Sequence, residues 1–236
     1  MKLINKKLLT LSEQIAEQIR AAIISRDLSP GDKLPPEQDL AEQFQVSRPT
    51  IRDAIKLLTA AKLIVTKSGA KGGHFVAEID LNALMNDISD YISLSLSLEG
   101  MTIDEVLEVR ETVELKSCSL AALRRREEDL QVLKDTLAGM DAAISSKHFY
   151  ERDFLFHKAI AKATHNRMVI TTIEAIILSL TRYFNHTDCP IELRDQLTRQ
   201  AYDIYEAIEQ QKPELAAKKM EQHLNLFTDF LPSISS

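Results

Sequence analysis

The sequence predicts a mainly α protein: an N-terminal winged helix-turn-helix head followed by an antiparallel bundle of about six to seven helices. Strand-prone residues are confined to two short runs, Leu63-Ile64-Val65 and His74-Phe75-Val76. Beyond residue 78 glycine is almost absent and apolar residues recur at helical spacing to the end. Charge is also unevenly divided: residues 1–77 carry 12 Lys and Arg against 8 Asp and Glu, whereas the remainder carries 17 against 27. The net charge of −6 therefore hides a basic head and an acidic body, compatible with a head that meets phosphates and a body that does not.

A length of 236 residues suits two domains of ordinary size. No run approaches the roughly 18 apolar residues of a membrane span, and Met1 to Lys7 lacks the apolar core of a signal peptide. The expectation is a cytoplasmic protein with no membrane partner. Cys118 and Cys189 form no CxxC motif and read as reduced thiols without a functional role.

Thr10-Leu11-Ser12-Glu13 fits a capping box, and Leu11, Ile15, Ile19 and Ile23 follow at four-residue steps, predicting a helix over about 12–25. Ser29-Pro30-Gly31-Asp32 breaks it. Pro35 and Pro36 open a second helix to about Phe44, burying Leu40, Ala41 and Phe44; Gln45-Val46 then turn into a third. That third helix, ending near Ala61, is the expected recognition element. Ser47 caps it, and Pro49 is tolerated in a first turn whose N–H groups have no intrahelical partner. Ile51, Ala54, Ile55 and Leu58 make its buried stripe, while Arg48 and Arg52 lie together off another face, free to reach outward. Guanidinium matches the O6/N7 edge of guanine bidentately, and Thr50 adds a phosphate or base contact. The plainer reading of this pair is a solvated helix face.

The two strand-prone runs make a hairpin with a Gly/Lys tip over Thr66 to Gly73. Directly after a helix-turn-helix, it reads as a wing. Lys67 and Lys71 would lie near phosphates, and Gly69, Gly72 and Gly73 would let backbone approach a groove.

Pro30-Gly31-Asp32-Lys33-Leu34-Pro35, Leu40-Ala41, Val46-Ser47-Arg48-Pro49-Thr50-Ile51-Arg52 and the glycine-rich wing resemble the N-terminal domain of GntR-superfamily transcription regulators. The resemblance spans residues 10–77. It implies a homodimer on a short palindromic double-stranded DNA operator, with Arg48 and Arg52 reading bases. At Gln38 several relatives place a DNA-contacting arginine; glutamine keeps the capacity to bond adenine or a phosphate.

Residues 78–83 read as a linker, between a head at 1–77 and an effector-binding and dimerisation domain at 84–236. Helices are expected at about 81–96, 102–125, 127–145, 147–164, 167–184, 192–211 and 213–231. Of Glu105, Glu108, Glu111 and Glu114, most read as a solvated helix face.

Asp153 and His157 lie at i, i+4, His223 lies between Met220 and Phe227, and Arg110 lies among Val106, Val109 and Val113. An aspartate and two histidines meeting in a bundle would suit a divalent transition metal such as zinc, nickel or manganese, whereas Asp-x-x-x-His is also a common ion pair. Arg110-x-x-Val113-Glu114, Asp153-x-x-Phe156-His157, Asn166, Ile204-x-x-Ala207-Ile208 and Ala217-x-x-Met220-x-x-His223 resemble the FadR-type C-terminal ligand-binding domain over about 102–230. The resemblance implies a metal held by an aspartate and three histidines, and a small carboxylate effector held by the metal and a nearby arginine; the expectation for this chain is one divalent transition metal, zinc or nickel. Asp153, His157 and His223 match three of those positions; the fourth falls on Ala201. His186 and Tyr202 are candidate replacements. Three ligands still suit an open zinc site. The expected effector pocket is lined by Arg110, Asp153, His157, Asn166 and His223, with Arg110 alternatively paired to Glu114 on its own helix. The rival function is a metal-dependent hydrolase using Asp153, His157, His223 and bound water.

Overall fold

The computed structural model describes residues 8–69, 71–143, 145–184 and 188–230. The chain divides between Asp80 and Leu81 into two compact units.

In the first unit, helix α1 (Leu11–Ile24) starts at the expected capping box. The Glu13 amide donates to Thr10 Oγ1 at 3.3 Å and the Thr10 amide to Glu13 Oε2 at 2.8 Å. Helix α2 (Glu37–Phe44) follows Pro36 and ends on Gln45 at φ 53°, a left-handed stop. Helix α3 (Arg48–Ala60) begins at Ser47, whose Oγ accepts from the Thr50 amide at 3.4 Å. Helices α1 and α2 and strand β1 (Ile64–Lys67) all pack on α3. Ile15, Ile19, Leu34, Leu40, Ile51, Leu58, Ile64 and Val76 form their shared core. Burying each such aliphatic side chain contributes about 1.5–3 kcal/mol, so the stripe on α3 is what holds the head together.

Strand β1 pairs antiparallel with β2 (Gly73–Val76), Ile64 opposite Val76 and Lys67 opposite Gly73. Thr66 and Lys67, expected in the loop, belong to β1. Gly72 is needed for closure: a Cβ there would lie 2.4 Å from the Lys67 carbonyl oxygen. The turn itself therefore requires glycine at this position.

The second unit is the expected bundle: α4 (Leu81–Ser97), α5 (Ile103–Arg124), α6 (Glu127–Asp141), α7 (Ser146–Ala163), α8 (Arg167–Tyr183), α9 (Ile191–Glu209) and α10 (Pro213–Phe230). Helix α4 starts at Leu81, so 81–83 are helical and not linker. Thr102 caps α5 in a box with Glu105, and Ser145 and Asn166 cap α7 and α8. Neighbours in sequence pack side by side (α6 on α7, α7 on α8, α9 on α10), as alternating directions require. Helix α5 is central, touching α7, α8, α9 and α10. Its inward residues therefore sit on several faces, and Arg110, Glu114 and Ser117 are buried beside Val106, Cys118 and Ala121. No single apolar stripe marks such a helix.

Candidate functional site

The head presents the beginning of α3. Arg48 at its first position is exposed, Pro49 follows, and the Thr50 hydroxyl shares a 2.8 Å hydrogen bond with Ser47 Oγ. Arg52 is also exposed but not free, which corrects the expectation of two unengaged arginines. Its Nε donates to Glu37 Oε1 at 3.3 Å and its Nη2 to Glu37 Oε2 at 2.9 Å. That hydrogen bond holds the Glu37 carboxyl below its ordinary range. Glu37 lies on α2, fifteen residues away in sequence, where no local spacing could reveal the pairing.

Gln38 is exposed, with its carboxamide 3.4 Å from Glu42. On the wing Lys67 lies 4.9 Å and Lys33 5.6 Å from the Phe75 ring centre. Lys71 is exposed, and Gly69 takes φ 100° with open space about it. Lys67 of β1 and Lys33, from the segment before α2 that bridges to Phe75, thus lie near one aromatic ring, a cation–π arrangement.

In the second unit, α7 supplies Asp153 and His157 one turn apart, α10 supplies His223, and α5 supplies Arg110 and Glu114; none of the five is more than 4 % exposed. One ligand atom from each of Asp153, His157 and His223 lies within 4.8 Å of the others. Asp153 Oδ2 is 3.6 Å from His157 Nε2, and Oδ1 is 3.4 Å from His223 Nε2. His157 Nδ1 is hydrogen-bonded to Glu114, whose other oxygen accepts from Arg110 Nε at 2.6 Å. The Arg110 guanidinium lies 5.8 Å from both the Phe154 and the Phe227 ring centres.

Burial opposes the charge on Glu114, but His157 and Arg110 outweigh it and its carboxyl is pushed down to about 2. Burial likewise opposes ionisation of Asp153, and the two histidines again win, holding it far below the usual carboxylate range. His157 is raised, because Glu114 overcomes the cost of burying its cation; His223 is lowered by burial.

The burial of Glu114 and its contact with His157 are what sequence reasoning missed. Glu105 and Glu108 are exposed as expected, but Glu114, two turns further along α5, is buried. The available signal was its spacing from Arg110, which the structure confirms as an ion pair. Asn166 caps α8: its side-chain oxygen accepts from the Met168 and Val169 amides at 3.0 and 3.3 Å. Ala201 is fully buried on α9 and offers no ligand atom. Tyr202 is exposed and donates to Asp141 at 2.6 Å, so it does not replace the missing histidine. His186 lies outside the described residues.

The donor set fits a divalent metal. Asp153 Oδ1, His157 Nε2 and His223 Nδ1 are buried without a hydrogen-bond partner, a costly arrangement unless something binds there. Oxygen and imidazole donors suit zinc or nickel, and the carboxylate behind His157 is the usual way of fixing a ligating ring.

A cavity of about 300 Å³ lies between α5 and α10, with Arg110, Leu107, Leu224 and Phe227 in its wall and Asp104, Glu108 and Glu111 on the α5 side. Of the five residues expected to line an effector pocket, Arg110 alone borders it. No described helix is long and apolar enough to cross a membrane.

Comparison with known proteins agrees with both units. The profile of bacterial regulatory proteins of the gntR family matches residues 11–76, and that of the FCD domain matches residues 105–226. The chain is 38 % identical to the HTH-type transcriptional regulator LutR of Bacillus subtilis over 144 residues, 61 % of this chain and 63 % of LutR. It is 29 % identical to the uncharacterized regulator YcbG of the same organism, over 96 % of this chain and 91 % of that one. Identity is also 29 % to the putative L-lactate dehydrogenase operon regulatory protein of Escherichia coli, over 91 % and 84 %. Among solved structures, Streptococcus agalactiae GntR superposes with a TM-score of 0.59 at 23 % identity, covering 92 % of this chain and 98 % of that one, which supports the fold. These relatives are regulators, and they give the metal-dependent hydrolase no support. With a gntR-type head and an FCD domain that accounts for more than half its length, the chain belongs to the gntR family of bacterial transcription regulators.

Proposed function

We propose that the protein is a cytoplasmic, non-enzymatic regulator that binds a palindromic operator as a homodimer and releases or engages it in response to a small organic acid. The observation that carries the reading is that Asp153, His157 and His223, all buried, each bring one ligand atom within 4.8 Å of the others, beside a buried arginine. In this reading these three side chains hold one zinc or nickel ion. When bound, the metal supplies a Lewis-acid position for a carboxylate or hydroxyl oxygen. Glu114 keeps the His157 ring oriented, and Arg110 supplies the positive charge that attracts the acid.

On the DNA side, Arg48 and Arg52 read bases, and Ser47, Thr50, Lys67 and Lys71 contact the backbone, with Gln38 reading adenine or a phosphate. Pro49 starts the helix and Gly69 lets the wing tip approach a groove. A second copy would cover the exposed apolar residues Leu84, Tyr91 and Leu94 on α4. The dimer would then set the two heads at the half-site spacing, about 34 Å in B-DNA. The effector shifts DNA affinity by its preference for one arrangement of the dimer over the other. A relative is named for an L-lactate dehydrogenase operon, so L-lactate, whose carboxylate and hydroxyl can both face a metal, is the first effector to test.

Elemental analysis of protein purified without chelator or metal resin tests the site: near one equivalent of metal is expected, lost in Asp153→Ala. Zinc at about a hundred times its Kd should stabilise the wild type by about 2.7 kcal/mol and the variant not at all. Metal-free wild-type protein that also fails to respond to zinc would refute the metal. DNA affinity unchanged by L-lactate and by a panel of other small carboxylates would refute the acid effector.

A further inference from the structure

Glu37 meets the recognition helix in a particular way. It is the first residue of α2, its side chain is only 19 % exposed, and its two oxygens take the Nε and Nη2 of Arg52, whose side chain is 57 % exposed. A guanidinium carries five N–H donors. Gripping it from the side uses the Nε–H and one Nη2–H, and leaves the end edge, Nη1 with the remaining Nη2–H, as a second fork. That edge has the geometry that matches O6 and N7 of guanine.

The same carboxylate faces the wing. His74 Nε2 lies 3.7 Å from Glu37 Oε1, and His74 Nδ1 shares a 2.9 Å hydrogen bond with Thr66 Oγ1 across the hairpin. One side chain on α2 is therefore set against both α3 and β2.

We propose that Glu37 is a positioning residue that buttresses Arg52 from the side, aiming its free edge at a guanine in each half-site. This rests on the reading of α3 as the element that enters the major groove. Among the described residues Arg48 forms no such side-on pair, although its charge also acts on Glu37, so the proposal assigns the buttress to Arg52 alone. The buttress also explains an acidic group on a face that must approach phosphates: it lowers general attraction to DNA while fixing one arginine for one base. Removing it should therefore move the two kinds of affinity in opposite directions.

The test is selection of full-length protein on a duplex library with a randomised core at fixed salt, using wild type, Glu37→Gln, Arg52→Ala and the double variant. Arg52→Ala should abolish the preference for guanine at one position of each half-site. Glu37→Gln should weaken the same preference about tenfold, leave the other guanine untouched, and raise affinity for the unselected pool. In the Arg52→Ala background Glu37→Gln should change no base preference. Arg52→Lys keeps the charge, cannot hold carboxylate and guanine together, and should reproduce the loss without disturbing α2. A Glu37→Gln variant with the full wild-type preference would overturn the buttress. So would a Glu37→Gln change that persists without Arg52, since Glu37 would then read a base directly. Wild-type protein that selects no base anywhere would instead remove the DNA-reading assignment itself.

Discussion

Two arginine–glutamate pairs have similar contacts and opposite surroundings: Arg52–Glu37 in the head at 2.9 Å, and Arg110–Glu114 in the bundle at 2.6 Å. The first lies at the surface, with the arginine more than half exposed. Water competes for both partners, so the pair adds little to stability and its arginine can serve a second partner. The second is at most 3 % exposed and continues through His157 to Asp153 and His223. There each charge depends on its neighbour, because desolvation has removed every alternative. The same pairing leaves one edge of its arginine open to solvent in the head and closes a buried frame in the bundle.

The largest expected effect breaks the frame. Glu114→Ala leaves Arg110 and His157 facing each other without their carboxylate and should cost about 3–5 kcal/mol, a drop on the order of 10 °C in the bundle's melting temperature. Glu37→Ala should leave the head's melting essentially unmoved. Equal small shifts in both would mean that burial does not separate the two pairs. Next in size, Arg48→Ala should lose about 1–3 kcal/mol of discrimination at its base, read as a selected-site Kd weaker by about fivefold to 150-fold with unchanged melting of the bundle. Specific binding that survived intact would remove Arg48 from the reading surface. The smallest effect is at the cap: Ser47→Ala should destabilise α3 by about 1 kcal/mol, seen as a shift in the head's transition alone. A shift in the bundle's transition instead would contradict the independence of the two units.

What could be read from sequence and what could not divide along the same line. Thr10, Ser47 and Thr102 announce their helices because a cap acts over three residues. Ile51, Ala54, Ile55 and Leu58 announce their buried face because α3 is covered on one side. Asp153 and His157 are legible as a pair one turn apart, and His223 by its motif. The burial of Glu114 is not legible, because α5 is enclosed by four helices and its polar residues have no fixed outward face. Nor is the engagement of Arg52, because its partner is on another helix. Asn166 has a use that is legible locally, since an asparagine just before a helix caps it.

Cys118 lies one turn beyond Glu114 on α5, fully buried, and burial together with the glutamate raises its thiol well above the ordinary value. Cys189 is equally enclosed and is pushed up to about 11 by burial. Since the thiolate is the reactive form, alkylating reagents can act on Cys118, inside the bundle on α5, only when the helices part. The protein therefore contains its own clock for bundle opening: the rate at which an added thiol reagent consumes Cys118 reports how often the interior is exposed, with no engineered label. Any occupant that tightens the centre of the bundle will slow that clock.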